Sequence, residues 1–149
     1  METILIGSDH AGFALKEQLK RRLEAEGFDV KDYGTFSEES MDYPDVAHPL
    51  ASDINSGKAE RALLICGSGN GVSMVANKYP NVRAALCWKR ELAGLARQHN
   101  NANILTLPAR FISEEEAAAC LDVFLHTGFD GGRHTVRVEK IKSGLNFNK

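Results

Sequence analysis

This chain contains few cysteines and has no strong excess of positive or negative charge. The 149 residues include three cysteines, Cys66, Cys87 and Cys120. An odd number at wide spacing predicts neither a disulfide framework nor a zinc knuckle. The formal net charge of −2 provides no basic field for nucleic acid. No apolar run could span a membrane, and no basic N-terminal region precedes an apolar stretch. We therefore expect a cytoplasmic protein with no nucleic-acid and no membrane partner.

A glycine-rich stretch near the middle of the chain carries the strongest chemical signal. The apolar run from Leu63 to Cys66 is typical of a buried strand, and glycines follow at positions 67, 69 and 71. A helical pattern begins after Gly71. Strand, glycine loop and helix N-terminus together favour anion binding through backbone N–H groups.

The residue before the loop adds a possible reactive group. Cys66 ends the predicted strand, and a thiol ahead of a helix N-terminus loses its proton more readily and becomes a base or nucleophile. Glycine loops also bind nucleotides or simply turn, and cysteine is often a small buried apolar residue. The loop alone therefore favours anion binding and leaves catalysis open.

Strand and helix patterns alternate along the chain. Strands are predicted at 3–8, 28–30, 62–66, 82–86 and 104–107, with helical patterns between and after them. This alternation predicts a parallel sheet with helices on both faces, in one domain over residues 1–149. A last helix is expected at about 132–142, followed by a loose tail at 144–149. Ligands in such folds bind beyond the carboxyl ends of the strands.

Several polar groups admit two interpretations. Asp9 and His10 follow the first strand, where Asp9 could cap a helix, and they converge on Cys66 only if strands one and three are neighbours. His99 could be an ordinary helix stop. Arg133 and Arg137 lie four residues apart on one helix face. They could be solvated, but beside two glycines they indicate a phosphate clamp, since guanidinium groups bind phosphate oxygens in pairs.

Six motifs together resemble the ribose-5-phosphate isomerase type B family, in the family's order over nearly the whole chain. They are Gly7-Ser8-Asp9-His10-Ala11-Gly12, Asp42-Tyr43-Pro44, Cys66-Gly67-Ser68-Gly69-Asn70-Gly71, Ala76-Asn77-Lys78, Arg97-Gln98-His99-Asn100, and Gly131-Gly132-Arg133-His134 continuing to Arg137-Val138.

The resemblance implies a fold and an activity. The expected fold is a three-layer α/β/α sandwich of Rossmann-like type, with five parallel strands in the order 2-1-3-5-4. The expected reaction interconverts ribose 5-phosphate and ribulose 5-phosphate, a step of the non-oxidative pentose phosphate pathway, without metal or cofactor. The expected assembly is a homodimer or a dimer of dimers.

The resemblance also implies roles for individual residues. Cys66 would move the proton between C2 and C1, His99 would open the sugar ring, and Ser68 would relay a proton. The remaining matching positions would bind substrate: Asp9, His10, Tyr43, Gly67, Ser68, Gly69, Asn70, Gly71, Asn100, Arg110, Arg133 and Arg137. Many members have threonine where this chain has Ser68, which keeps the hydroxyl. Another branch uses a glutamate farther along the loop, but residues 72–74 offer no carboxylate, so this chain fits the cysteine branch.

Two alternatives stay open at this stage. The substrate could be a six-carbon sugar phosphate, such as allose 6-phosphate or galactose 6-phosphate. The protein could also be a non-catalytic sugar-phosphate binding module, which would need the arginines but neither Cys66 nor His99.

Strand direction predicts a shared site. Cys66 lies at the carboxyl end of its strand, whereas His99 comes after a helix and just before the fifth strand, at the opposite edge. A strand of about five residues spans roughly 17 Å, so His99 should not reach Cys66 of its own chain. We therefore expect a second subunit to supply His99.

Overall fold

The computed structural model describes residues 1–144 of the chain. The strands are β1 (Thr3–Ser8), β2 (Asp29–Asp32), β3 (Arg61–Cys66), β4 (Ala84–Leu86) and β5 (Ile104–Pro108). The helices are α1 (Phe13–Ala25), α2 (Pro44–Asn55), α3 (Asn70–Ala76), α4 (Arg90–Gln98), α5 (Glu114–His126) and α6 (Arg133–Ser143). The predicted tail lies outside the described residues, apart from Gly144. Among residues 1–144, no helix is both long and apolar enough to cross a membrane.

The strands form one parallel sheet in the order β2-β1-β3-β5-β4, which confirms the predicted order. The register pairs Ser8 with Ile65, and Cys66 with Pro108. The carboxyl ends of β1, β3 and β5 therefore meet at one edge of the sheet, which we call the carboxyl edge. The strands begin at the opposite edge, which we call the amino edge.

The side chains of alternate strand residues pack into two separate hydrophobic cores, one on each face of the sheet. Ile6, Leu63 and Leu105 point into a core shared with α1, α4 and α5. Leu5, Leu64 and other residues of opposite parity point into a core shared with α2 and α3. This division follows from the period of two along a strand, and it confirms the three-layer arrangement.

Several element boundaries differ from the sequence predictions; β2, for example, is predicted at 28–30 and observed at Asp29–Asp32. Helix α2 begins at Pro44, because proline is well suited to a first helical turn. Helix α3 begins at Asn70, so Gly71 is helical and Gly69, with φ of 77°, makes the turn. Strand β4 begins at Ala84, because the N–H of Val82 bonds to Tyr79 in a turn instead of to the sheet.

A buried ion pair ties α1 to the end of β2. The Nζ of Lys16, a side chain with no exposed surface, lies 2.6 Å from Oδ2 of Asp32, whose side chain is 8% exposed. Lys20 also donates to Asp32 at 3.2 Å, and the backbone N–H of Gly34 donates at 2.8 Å. Burial alone raises the pKa of Asp32, but the bonds from Lys16, Gly34 and Lys20 outweigh it, so the pKa lies below its usual value.

Replacing Asp32 with asparagine should destabilise the fold by about 3–5 kcal/mol, because it removes the buried counter-charge of the Lys16 ammonium. The partly exposed Glu17 carboxylate, 3.0 Å from the Lys16 Nζ, is then its remaining ion-pair partner within residues 1–144. The wild-type pair stabilises the protein above the unfolded-state pKa of about 3.9, and this stabilisation is lost as the pH falls through the lower folded-state value. Urea unfolding at pH 7 and at pH 3 measures both effects. The control is Asp122→Asn, which breaks an exposed pair with Arg22 and should cost under about 1 kcal/mol. Equal losses of unfolding free energy in the two variants would contradict the interpretation that burial makes the Lys16–Asp32 pair more important than the exposed pair.

Candidate active site

The glycine loop lies at the carboxyl edge, between β3 and α3. Cys66 is 4% exposed, and its carbonyl accepts a 2.9 Å hydrogen bond from Ala109. A side chain at Gly69 would collide with Leu86, and its φ of 77° independently favours glycine. Ser73 donates to the carbonyl of Gly69 at 2.7 Å and lies 2.6 Å from the Thr106 hydroxyl. The loop is therefore held from its own helix and from β5.

Tyr43 and Arg110 flank this loop. A Cβ at Gly71 would lie 2.5 Å from the Tyr43 ring, so the ring rests directly against the helix backbone. A Cβ at Gly67 would lie 3.2 Å from a guanidinium nitrogen of Arg110. The N–H of Arg110 also donates to the Gly67 carbonyl at 3.0 Å. The side chain of Arg110 thus places a positive charge over the start of the loop.

Asp9 and His10 join the same group from β1. The N–H of Asp9 donates to the carbonyl of Ile65 at 3.1 Å, so the residue lies beside the end of β3. One Asp9 oxygen accepts from the N–H of Gly12 at 3.0 Å, and no hydrogen bond to the other is present within residues 1–144. His10 accepts from the N–H of Met41 through Nδ1 at 3.3 Å, which leaves Nε2 to carry the proton of the neutral ring.

His99 lies in a second group, at the end of α4. Its ring stacks on His134, with centroids 4.3 Å apart and planes 13° from parallel. The N–H of Asp130 donates to the carbonyl of Gln98 at 3.0 Å, which attaches the segment before α6 to the end of α4. Desolvation lowers the pKa of His134, and the neighbouring His99, Arg133 and Arg137 lower it further against the opposing effect of Asp130.

One chain does not bring the two groups together. Cys66 pairs with Pro108 at the carboxyl edge, whereas His99 precedes Ile104, where β5 begins at the amino edge. The strand steps between Ile104 and Pro108 span roughly 13 Å. The carboxyl-edge group consists of Asp9, His10, Tyr43, residues 66–71 and Arg110. The amino-edge group consists of His99, Asn100, Arg133, His134 and Arg137.

Asp130 and His134 were not selected as site residues from the sequence. With His99 they form a cluster in which one nitrogen or oxygen of each residue lies within 4.8 Å of the others. Such a set could hold a divalent cation after side-chain adjustment, although Arg133 and Arg137 oppose a positive ion there. The usable signal was the position of His134 between two arginines. Nothing in the sequence marks its contact with His99, which depends on how α6 packs. That the reaction uses no metal stays a prediction.

The exposed side chains around the two groups include several large apolar residues. They are Tyr43, Met74, Trp88, Leu95, Phe111, Val136 and Ile141. Helix α6 has no buried residue, although it carries the two arginines. Trp88 and Phe111 line a cavity of about 340 Å³ beside Ser68 and Asn70. A large apolar surface around an incomplete set of polar groups is typical of a site completed by another protein surface.

Comparison with known proteins gives a consistent result. A family model described as Ribose/Galactose Isomerase matches residues 4–141. Ribose-5-phosphate isomerase B of Escherichia coli strain K12 is 40% identical over 141 residues, covering 95% of each chain. D-erythrulose-4-phosphate isomerase of Pectobacterium atrosepticum is 41% identical over 142 residues, covering 95% of this chain and 93% of the relative.

Solved structures agree with the sequence comparison. A ribose 5-phosphate isomerase from Thermotoga maritima has a TM-score of 0.93 and 51% identity, over 95% of this chain and 98% of that one. Ribose-5-phosphate isomerase B from Mycoplasma genitalium, with bound ribulose-5-phosphate, has a TM-score of 0.92 and 40% identity, over 97% and 96% of the two chains.

Proposed function

Because the chain belongs to the ribose/galactose isomerase family, we propose that it interconverts D-ribose 5-phosphate and D-ribulose 5-phosphate. The observation that carries this proposal is the buried Cys66 thiol at the start of a braced, glycine-rich loop with an arginine over it. Aldose–ketose isomerisation requires a base next to the reacting carbons and donors aimed at the developing oxyanion. The carboxyl-edge group supplies both.

The central step is a proton transfer between two adjacent carbons. Cys66, as the thiolate, takes the proton from C2 of the open-chain aldose, and the electron pair moves to form an enediolate. The same thiol returns the proton to C1, while a proton passes between the two oxygens to give the ketose. Amides of residues 67–71 stabilise the enediolate charge, and Ser68 relays the oxygen proton. Each such donor is worth roughly 3–4 kcal/mol in enzymes where it has been removed.

Ring opening precedes this step. A ribose ring opens when a base takes the anomeric hydroxyl proton and an acid protonates the ring oxygen. We assign the histidine role in this exchange to His99, with Asp9 and His10 binding the sugar hydroxyls or the ring oxygen. Asp9 keeps an oxygen without an internal partner within residues 1–144, and His10 keeps an Nε2 proton to donate.

The substrate phosphate is held by the arginines. Arg110 comes from the carboxyl-edge group, whereas Arg133 and Arg137 come from the amino-edge group with Asn100. Paired N–H donors of guanidinium match phosphate oxygens. Binding energy gained at the phosphate, remote from the reacting carbons, positions C1 and C2 for proton transfer.

A site that uses both groups needs two subunits. We infer a homodimer, alone or paired into a tetramer, in which the carboxyl-edge group of one subunit faces the amino-edge group of the other. The separation of Cys66 from His99 within one chain supports this assembly, as do the exposed apolar residues and helix α6, none of whose residues is fully buried. We also propose that the enzyme acts in the cytoplasm, in the non-oxidative pentose phosphate pathway.

The direct test is turnover of purified protein on ribose 5-phosphate, allose 6-phosphate, galactose 6-phosphate and erythrulose 4-phosphate. The expected result is the highest kcat/KM for ribose 5-phosphate. Similarity to the Pectobacterium atrosepticum enzyme makes a different sugar phosphate the second candidate, which a higher kcat/KM for that compound would establish. Absence of turnover on all four, with sugar phosphate still bound, would favour a non-catalytic binding module.

Arg137→Ala should raise KM for ribose 5-phosphate by about tenfold or more, with a smaller loss of kcat, because it removes a charge-assisted contact to the phosphate. Initial rates over a range of substrate concentrations measure this split. Free ribose should be a very poor substrate for the wild-type enzyme. Arg21→Ala, at an exposed position on α1, is the matched control and should change neither constant. Free ribose reacting as efficiently as ribose 5-phosphate would contradict the phosphate clamp.

A further inference from the structure

Three arginines meet at the amino edge of the sheet, outside both groups of the proposed site. Arg61, Arg83 and Arg97 line a cavity of about 440 Å³, together with Asn101 and Asn103. We call this the arginine cavity. The side chains come from the start of β3, the turn before β4 and the end of α4, so residues distant in sequence have been brought together.

The positive charge in this cavity is only partly balanced. Arg61 is paired with Glu2, through a 2.7 Å bond from Nε and a second short contact from Nη2. Within residues 1–144, neither Arg83 nor Arg97 forms an ion pair with a carboxylate. Burial lowers the pKa of both groups, and the charges of Arg61 and Arg83 lower that of Arg97 further. An anion between these groups would offset the cost of their desolvation and reduce their mutual repulsion.

Hydrogen bonds hold the side chains of Arg83 and Arg97 in place, but each guanidinium group keeps an N–H donor without a protein partner in the described residues. Arg83 donates from Nε to the carbonyl of Asn101 at 2.8 Å. Arg97 donates from Nε to Thr127 at 3.0 Å and from Nη1 to Ala102 at 2.7 Å. In the part of the chain that the structure describes, neither Nη2 donates a hydrogen bond, and neither is among the buried polar atoms without a partner. These two donors are therefore not fully buried, and each keeps some accessible surface.

We propose that the arginine cavity binds a phosphate-type dianion, either inorganic phosphate or a small phosphate monoester, at a site separate from the substrate clamp. Preorganised guanidinium groups with free N–H donors match the oxygens of this anion better than ammonium groups do. Glu60, an exposed carboxylate, also lines the cavity and weakens the attraction. The proposal does not depend on the isomerase activity.

The cavity adjoins the turn that carries His99 and Asn100. Asn101 has a positive φ of 49°, an uncommon conformation for a residue other than glycine. Its carbonyl is held by Arg83, and its side-chain oxygen accepts a 3.0 Å bond from Arg97. A bound anion would therefore contact the same arginines that hold this turn.

Calorimetric titration of phosphate at constant ionic strength tests the proposal. The full chain carries Arg110→Ala, Arg133→Ala and Arg137→Ala, so that the arginines of the substrate clamp do not contribute. We expect one phosphate per chain with a millimolar or lower dissociation constant. Glu60→Gln should tighten binding by about two- to fivefold, because it removes a competing charge. Arg83→Lys should weaken phosphate binding by about tenfold, because lysine keeps the positive charge but lacks the paired N–H donors of guanidinium.

The controls separate a specific site from a general salt effect. Glu115→Gln removes an exposed charge from the other edge of the sheet and should leave the dissociation constant unchanged. Glycerol phosphate in place of phosphate distinguishes an ester from the free anion, and malonate tests for any dianion. If Arg83→Lys fails to fold by circular dichroism, the Glu60 and Glu115 variants decide. No phosphate binding in the clamp-free protein, equal effects of Glu60→Gln and Glu115→Gln, or malonate binding as tight as phosphate would each overturn the proposal.

Discussion

Cys66→Ala is expected to lower kcat on ribose 5-phosphate by about a thousandfold or more, while the fold and phosphate-ligand binding remain. A positioned acid–base group contributes typically about 10²–10⁴-fold, and here the same thiol serves both halves of the proton transfer. Its 4% exposure leaves little room for water to replace it. The measurement is kcat from initial rates, alongside circular dichroism and the affinity for a non-reacting sugar phosphate.

The other two cysteines provide the controls for this result. Cys87 and Cys120 are almost wholly buried, and burial raises the pKa of their thiols to about 11 and about 12. Cys87→Ser and Cys120→Ser should therefore reduce thermal stability more than turnover. Iodoacetamide should inactivate the wild-type enzyme, and substrate should protect it. Near-normal turnover by Cys66→Ala would remove the thiol from the mechanism.

Local pattern and strand direction were enough to predict much of this molecule. The glycine loop after β3 was visible because glycine, a preceding apolar run and a following helical period are all local features. The convergence of Asp9 with Cys66 required β1 and β3 to be neighbours, which the parallel alternation permits but does not impose. The resemblance supplied that order, and the register of Ser8 with Ile65 confirms it.

The features that sequence reasoning missed depend on packing between distant elements. The contact of His134 with His99 exists because a backbone bond from Asp130 to Gln98 attaches the start of α6 to the end of α4. The meeting of Arg61, Arg83 and Arg97 also depends on packing, since they come from the start of β3, the turn before β4 and the end of α4. Neither the spacing of these residues nor the composition around them signals that they are neighbours.

Mixing two inactive variants is expected to restore activity. Cys66→Ala and His99→Asn homodimers should each be nearly inactive, because each has lost one required group from every site. Random co-refolding makes about half the dimers mixed for a symmetric pair. Each mixed dimer then carries one intact site, with Cys66 from one chain and His99 from the other, and one site that lacks both residues. The expected recovery is therefore about one quarter of wild-type activity, measured as kcat per chain.

Separate affinity tags on the two variants allow the mixed dimer to be purified, and its activity should then approach about half that of wild type. Refolding each variant alone provides the control, since neither should gain activity. The reason for expecting recovery is geometric: β5 runs from the amino edge, next to His99, to the carboxyl edge, next to Cys66, so one chain holds the two groups at opposite edges. Inactive mixed dimers would mean that each site takes Cys66 and His99 from the same chain. In that case His99 would have to reach the carboxyl edge of its own sheet, and the two-subunit site proposed above would be wrong.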